Sequence, residues 1–179
     1  MNYHNITYPD MNNGDGLRVV LWLSGCSHHC YNCQNPQTWD VNSGIPFDES
    51  AKKELFRELD KDYISGLTLS GGDPLHEANL DGVLDLVNEI RLSFPNKSIW
   101  VYSGYNFQKV MQQLPNLSTK DNYNMYKRQK IIKQCDVMVD GRYIDSQRNP
   151  SKKWAGSDNQ RVIDIQQSLE KSKIVLWEK

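Results

Sequence analysis

Arg18-Val19-Val20-Leu21-Trp22-Leu23-Ser24-Gly25-Cys26-Ser27-His28-His29-Cys30-Tyr31-Asn32-Cys33 is the stretch on which the reading of this chain turns. Residues 18–23 are a near-continuous apolar run, as a buried parallel strand requires. Cys26, Cys30 and Cys33 follow at C-x3-C-x2-C spacing on what reads as a loop. Three thiolates so spaced suit an iron–sulfur cluster. A [4Fe–4S] cluster takes one protein ligand per iron, usually a cysteine thiolate, so three local cysteines leave one iron open to bind a small molecule. Two alternatives stand beside this. Structural zinc takes four Cys or His ligands, and His28 or His29 would have to supply the fourth at crowded spacing. A plain electron-transfer cluster wants a fourth thiolate, for which Cys135 is the one remaining cysteine. It sits just ahead of an apolar strand, where a free cysteine packs as a small hydrophobe.

Outward from this stretch, short apolar strands alternate with amphipathic helices. Asp48 is placed to cap a helix whose Ala51, Leu55, Phe56 and Leu59 share one face. Residues 66–70 read as a strand stopped by Gly71-Gly72-Asp73-Pro74. Leu80, Val83, Leu84, Val87 and Phe94 then mark a long helix. Ser98–Ser103 is a third strand, followed by a helix bearing Phe107, Val110, Met111 and Leu114. Asp136–Asp140 is a fourth strand, with β-prone stretches at 161–165 and 173–177 behind it. Repeated β–α units force right-handed crossovers and a mainly parallel sheet with helices outside. Four units are too few for an eight-fold barrel, so the α/β fold is expected to be an open or partial barrel. The whole of 1–179 reads as one domain, with the polar 116–130 as an insertion-like excursion before the fourth strand.

At 179 residues and 38% hydrophobic, the chain can bury a core. Its net charge of −1 gives no bulk drive toward nucleic acid or an anionic membrane. The charge is uneven: residues 1–116 carry 8 basic and 14 acidic side chains, residues 117–179 carry 13 and 8. Lys127, Arg128, Lys130 and Lys133 cluster, and are read as a solvated helix face. No apolar run approaches the ~20 residues that span a bilayer, the start lacks a signal peptide, and cysteines packed this closely argue against a disulfide framework. A reducing cytoplasm fits.

Ser70-Gly71-Gly72-Asp73-Pro74 ends a strand, on the edge where β–α sheets bind ligands. The glycines permit close backbone approach, and Asp73 can accept from an ammonium, although the same residues also make a good turn. His28 and His29 are positioned to hydrogen-bond to sulfurs or to stand in a solvated loop, His76 to reach the site or start a helix. Tyr102, Ser103 and Tyr105 end the third strand on the same edge.

C-x3-C-x2-C after the first strand and a Gly-Gly-acid motif after the second resemble the radical S-adenosylmethionine enzymes. Asn13-Gly14-Asp15-Gly16-Leu17-Arg18, Gly25-Cys26 and the short length are similar to their glycyl-radical-enzyme activases. Five further runs resemble the subfamily serving anaerobic (class III) ribonucleoside-triphosphate reductases: 33–39, 69–76, 100–105, Val139-Asp140-Gly141-Arg142 and 156–161. The resemblance runs from about Met1 to Ile165. It implies a partial radical-enzyme barrel in which Cys26, Cys30 and Cys33 hold a [4Fe–4S] cluster whose open iron chelates S-adenosylmethionine. Asn32, Cys33 and Gln34 would line the adenosylmethionine site, and Gly71, Gly72 and Asp73 would receive its amino group. The implied activity is reductive cleavage to a 5′-deoxyadenosyl radical that makes a glycyl radical on the reductase, with a flavodoxin-like or other small reductant as donor. A radical enzyme acting on another glycyl-radical enzyme or a small molecule, and a non-enzymatic iron–sulfur carrier, are the other readings. Two positions depart from the wider pattern: Asn32 stands where an aromatic residue is common, and Asp73 where glutamate is.

Overall fold

In the computed structural model, which describes residues 1–178, the apolar run of the cysteine stretch is strand β2 (Arg18–Leu23). It belongs to a seven-stranded sheet in the order β3 (Ile45–Pro46), β1 (Asn2–Asp10), β2, β4 (Gly66–Gly71), β5 (Ser98–Ser103), β6 (Val137–Asp140), β7 (Arg161–Asp164). β2, β4, β5 and β6 are parallel to one another, while β1 and β7 flank them antiparallel. The sheet is therefore mixed, mostly parallel and open, with β3 and β7 at its edges. β1 is invisible to pattern reading because only Tyr3 and Ile6 of its nine residues are buried.

Helix α1 (Glu49–Leu59) starts where expected, with the Asp48 carboxylate accepting from the amides of Ser50 and Ala51. Helix α2 (Leu80–Ser93) has Phe94 as its C-cap. Helix α3 (Phe107–Met111) is shorter than expected and does not reach Leu114. Leu114 precedes Pro115, whose ring disfavours helical geometry at the residue before it. The expected excursion at 116–130 is largely regular: helix α4 (Lys120–Gln134) occupies it, capped by Thr119. Two of its four buried positions, Asn124 and Arg128, are polar, so the 3.6-residue stripe carries no apolar signature. Of the basic cluster, Arg128 is thus not solvated. It donates through Nε to the Leu75 carbonyl at 2.9 Å and through Nη2 to the Tyr105 hydroxyl at 3.0 Å, while Lys127 pairs with Asp81. After helix α5 (Ile165–Glu170), the stretch 173–177 makes one bridge, Ile163 to Leu176, along the β7 edge.

Alternation splits each strand between two environments. Val19, Leu21, Leu23, Leu67, Leu69, Ile99, Val101 and Met138 join the large core that includes the buried faces of α1, α2 and α4. Trp100, Val137 and Val139 form a separate small cluster with Tyr102, Trp154, Val162 and Trp177. Arg18 sits among the strand ends with no exposed surface. Its guanidinium donates to Thr68 Oγ1, the Asp15 carbonyl, Ser98 Oγ and the carbonyls of Leu67 and Ser98, and lies 5.3 Å from the centre of the Trp100 ring. Burial pulls its pKa down to about 10, since oxygen dipoles replace water without a paired carboxylate. These bonds tie β2, β4 and β5 together at their N-terminal ends. No helix among the described residues is long and apolar enough to cross a membrane.

Candidate functional site

Parallel register brings the two sequence motifs level. Leu23, the last residue of β2, lies beside Gly71, the last of β4. The Gly72 amide donates to the Leu23 carbonyl at 2.7 Å and the Asp73 amide to the Gly25 carbonyl at 2.8 Å, so the root of the cysteine loop is bonded to the Gly-Gly-Asp turn. Both glycines are demanded by this junction. Gly71 has φ +97° and a Cβ there would come within 2.6 Å of the Leu23 amide; a Cβ on Gly72 would sit 2.5 Å from the Gly25 carbonyl oxygen. The close approach these glycines allow is to the neighbouring backbone.

The loop then turns tightly. Asn32 takes φ +54°, a left-handed conformation that asparagine tolerates, and the Cys33 amide bonds the Cys30 carbonyl at 3.1 Å. Cys26, Cys30 and Cys33 are free and half-buried, and all three line one cavity of about 130 Å³ together with Gly71, Gly72, Asp73 and Arg142. Burial pushes the Cys26 thiol up to about 11, against the opposing pull of the His28 and His29 amides. Cys33 Sγ accepts from the Asn35 amide at 3.4 Å. Gln34 is exposed and lines an adjoining cavity of about 180 Å³ with Cys33, Asn13, Trp22 and Tyr102.

Cys135 is elsewhere. It is fully buried, its Sγ donates to the Ile131 carbonyl, and burial drives its pKa up to about 12. It caps α4 just before β6, at the N-terminal edge of the parallel strands, whereas the cysteine loop leaves their C-terminal edge. The local donor set is thus three thiols. Among the described residues, no three Cys, His, Asp or Glu side chains converge tightly enough to hold a single metal ion. A cluster that gives each thiolate its own iron fits three separated sulfurs around one cavity better than zinc does.

Asp73 is held from every side. It is 1% exposed. Oδ1 accepts from the Leu75 amide (2.8 Å) and Ser103 Oγ (2.9 Å), and Oδ2 accepts from the Gly104 amide (3.0 Å) and His28 Nε2 (2.8 Å). The His28 side chain is therefore turned to Asp73, neither toward a cysteine sulfur nor out into solvent. Its ring packs edge-on to Tyr105 with centroids 4.9 Å apart, and its carbonyl accepts from Arg142. His29, at φ +46°, packs on Trp39. His76 starts a short helical turn, its Nδ1 accepting from the Ala78 amide; burial lowers its pKa, consistent with an accepting neutral ring. The Tyr102 hydroxyl is buried without a hydrogen-bond partner, and burial raises its pKa. Sequence reading placed Arg142 in one of its motifs without giving it a role, and had no signal for its bond to the His28 carbonyl or for the bond between positions 28 and 73, both of which depend on long-range packing.

Comparison with known proteins gives the chain a 4Fe-4S domain and a family. A family model described as a 4Fe-4S single cluster domain matches residues 12–163. The chain is 40% identical over 163 residues to the anaerobic ribonucleoside-triphosphate reductase-activating protein of Enterobacteria phage T4, covering 90% of this chain and 93% of that protein. It is 39% identical to the protein of the same name from Escherichia coli K12 and 36% to that from Vibrio cholerae, each over 90% of this chain and 97% of the relative.

Proposed function

Because the chain belongs to the family of anaerobic ribonucleoside-triphosphate reductase-activating proteins and matches a 4Fe-4S domain, we propose that it installs a glycyl radical in such a reductase. One observation carries this reading. Three thiols and the Gly-Gly-Asp turn, about forty residues apart in sequence, line one cavity from which the fourth cysteine is excluded.

Cys26, Cys30 and Cys33 would hold the [4Fe–4S] cluster. Such a cluster, with one iron left for S-adenosylmethionine, would supply the electron for cleaving the sulfonium–C5′ bond to methionine and a 5′-deoxyadenosyl radical, which would take a hydrogen atom from a glycine Cα of the reductase and leave as 5′-deoxyadenosine. The protein's own share is placement. Gly71 and Gly72 bring the strand end flush with the cysteine loop, and Asn32, Cys33 and Gln34 form the loop wall on which the nucleoside would lie. Asp73 places a buried negative charge beside the seat of the methionine ammonium. No general acid or base is needed, since a hydrogen atom rather than a proton moves. The polypeptide substrate is accommodated because the sheet is open. A cavity of about 740 Å³ near the cysteine loop, lined by Trp22, Gln34, Tyr102 and Trp154, gives a glycine-bearing segment room to approach.

The test is anaerobic reconstitution with iron and sulfide, reduction, and addition of S-adenosylmethionine with the partner reductase. Formation of 5′-deoxyadenosine and a glycyl radical signal on the reductase is the expected result. A reducible cluster that yields no 5′-deoxyadenosine would reduce the protein to an electron carrier. Cleavage without a radical on the reductase would point to another substrate.

A further inference from the structure

We propose that His28 is a positioning residue, a latch that fixes the cysteine loop to the tips of three strands before any cluster is present. The proposal rests on the reading of that loop as the cluster-bearing one. His28 lies midway between Cys26 and Cys30, and its side chain and main chain are held from opposite directions. Nε2 meets Asp73 Oδ2 at 2.8 Å, with side-chain exposures of 15% and 2%. A carboxylate facing amide and hydroxyl donors only accepts, so Nε2 carries the proton. The ring lies against Gly104, where a Cβ would come within 2.3 Å of it. The His28 carbonyl accepts from Arg142, in the loop after β6.

One residue thus joins the turn after β4, the end of β5 and the loop after β6. None of these contacts involves a sulfur, so the latch closes in the metal-free chain. A loop already fixed has lost the backbone freedom that assembling three thiolates around a cluster would otherwise have to remove. The same geometry explains why Gly104 carries no side chain: any Cβ there would push the imidazole off Asp73.

The experiment compares wild type with His28→Leu, His28→Gln and Gly104→Ala. Amide hydrogen exchange of residues 25–33 in the metal-free protein reads the latch without reference to the cluster. Loss of one charge-assisted bond should speed that exchange by at least about tenfold in His28→Leu and Gly104→Ala. His28→Gln, whose amide can still donate to Asp73, should stay within about threefold of wild type. Exchange in β2 and β4 should not change. After reconstitution, His28→Leu and Gly104→Ala should lose iron to a chelator about tenfold faster and give a reduced-cluster paramagnetic signal with an altered response to S-adenosylmethionine. Wild-type exchange of the loop in His28→Leu would overturn the latch, as would acceleration spread equally over the sheet. A wild-type protein that takes up no four-iron cluster would overturn the functional reading, and the exchange comparison would still decide the latch.

Discussion

Asp73→Asn separates a structural carboxylate from one kept free for a ligand. The substitution preserves shape but replaces one accepting oxygen with an NH2 group. If that group takes the Oδ2 position, it faces the His28 and Gly104 donors. If it takes the Oδ1 position, Ser103 Oγ can turn to accept, and the Leu75 amide alone is orphaned. The second arrangement is cheaper and sets the cost. One buried amide left unsatisfied costs about 1–3 kcal/mol, and weakening the remaining charge-assisted bonds adds about 1 kcal/mol. A net loss of about 3 kcal/mol corresponds to a fall of roughly 6–12 °C in Tm for a domain of this size. The measurement is thermal unfolding of the metal-free protein, where neither cluster nor S-adenosylmethionine contributes. A metal-free variant melting within about 2 °C of wild type, yet unable to cleave S-adenosylmethionine, would refute the reasoning and make Asp73 a dedicated ligand group.

Arg18→Met should lower Tm by about 6–12 °C, since it leaves three buried carbonyl and hydroxyl acceptors on two neighbouring strands without their donor at about 1 kcal/mol or more each; near-wild-type melting would show that Trp100 and its neighbours close over the gap. Cys135→Ser should keep four irons per chain after reconstitution and cost about 1 kcal/mol, because the hydroxyl can donate to Ile131 as the thiol does. Cys30→Ser should lose the cluster, and iron analysis of the pair checks both; loss of the cluster in Cys135→Ser would sink the three-ligand site.

Much of the fold was legible because its central strands satisfy two demands at once. Residues 18–23, 66–70, 98–103 and 136–140 are apolar because they are buried on both sides, and each is followed by a turn signal. The helix at 120–134 was not legible, because its buried stripe uses Asn124 and Arg128, whose polar ends find partners on other elements. β1 was missed for a related reason: an antiparallel flank needs few buried side chains to pair.

By itself, the sequence determined the parallel α/β order, the three-thiol loop and the Gly-Gly-Asp turn, because spacing and local propensity act along the chain. Only the tertiary structure decided what these motifs do to one another. The register of β2 on β4 set the two turns level, Cys135 went to the opposite edge of the sheet, and His28 and Ser103 converged on Asp73. Those outcomes depend on which buried donors meet which buried acceptors, and residues 30 or more positions apart meet only once the sheet has formed.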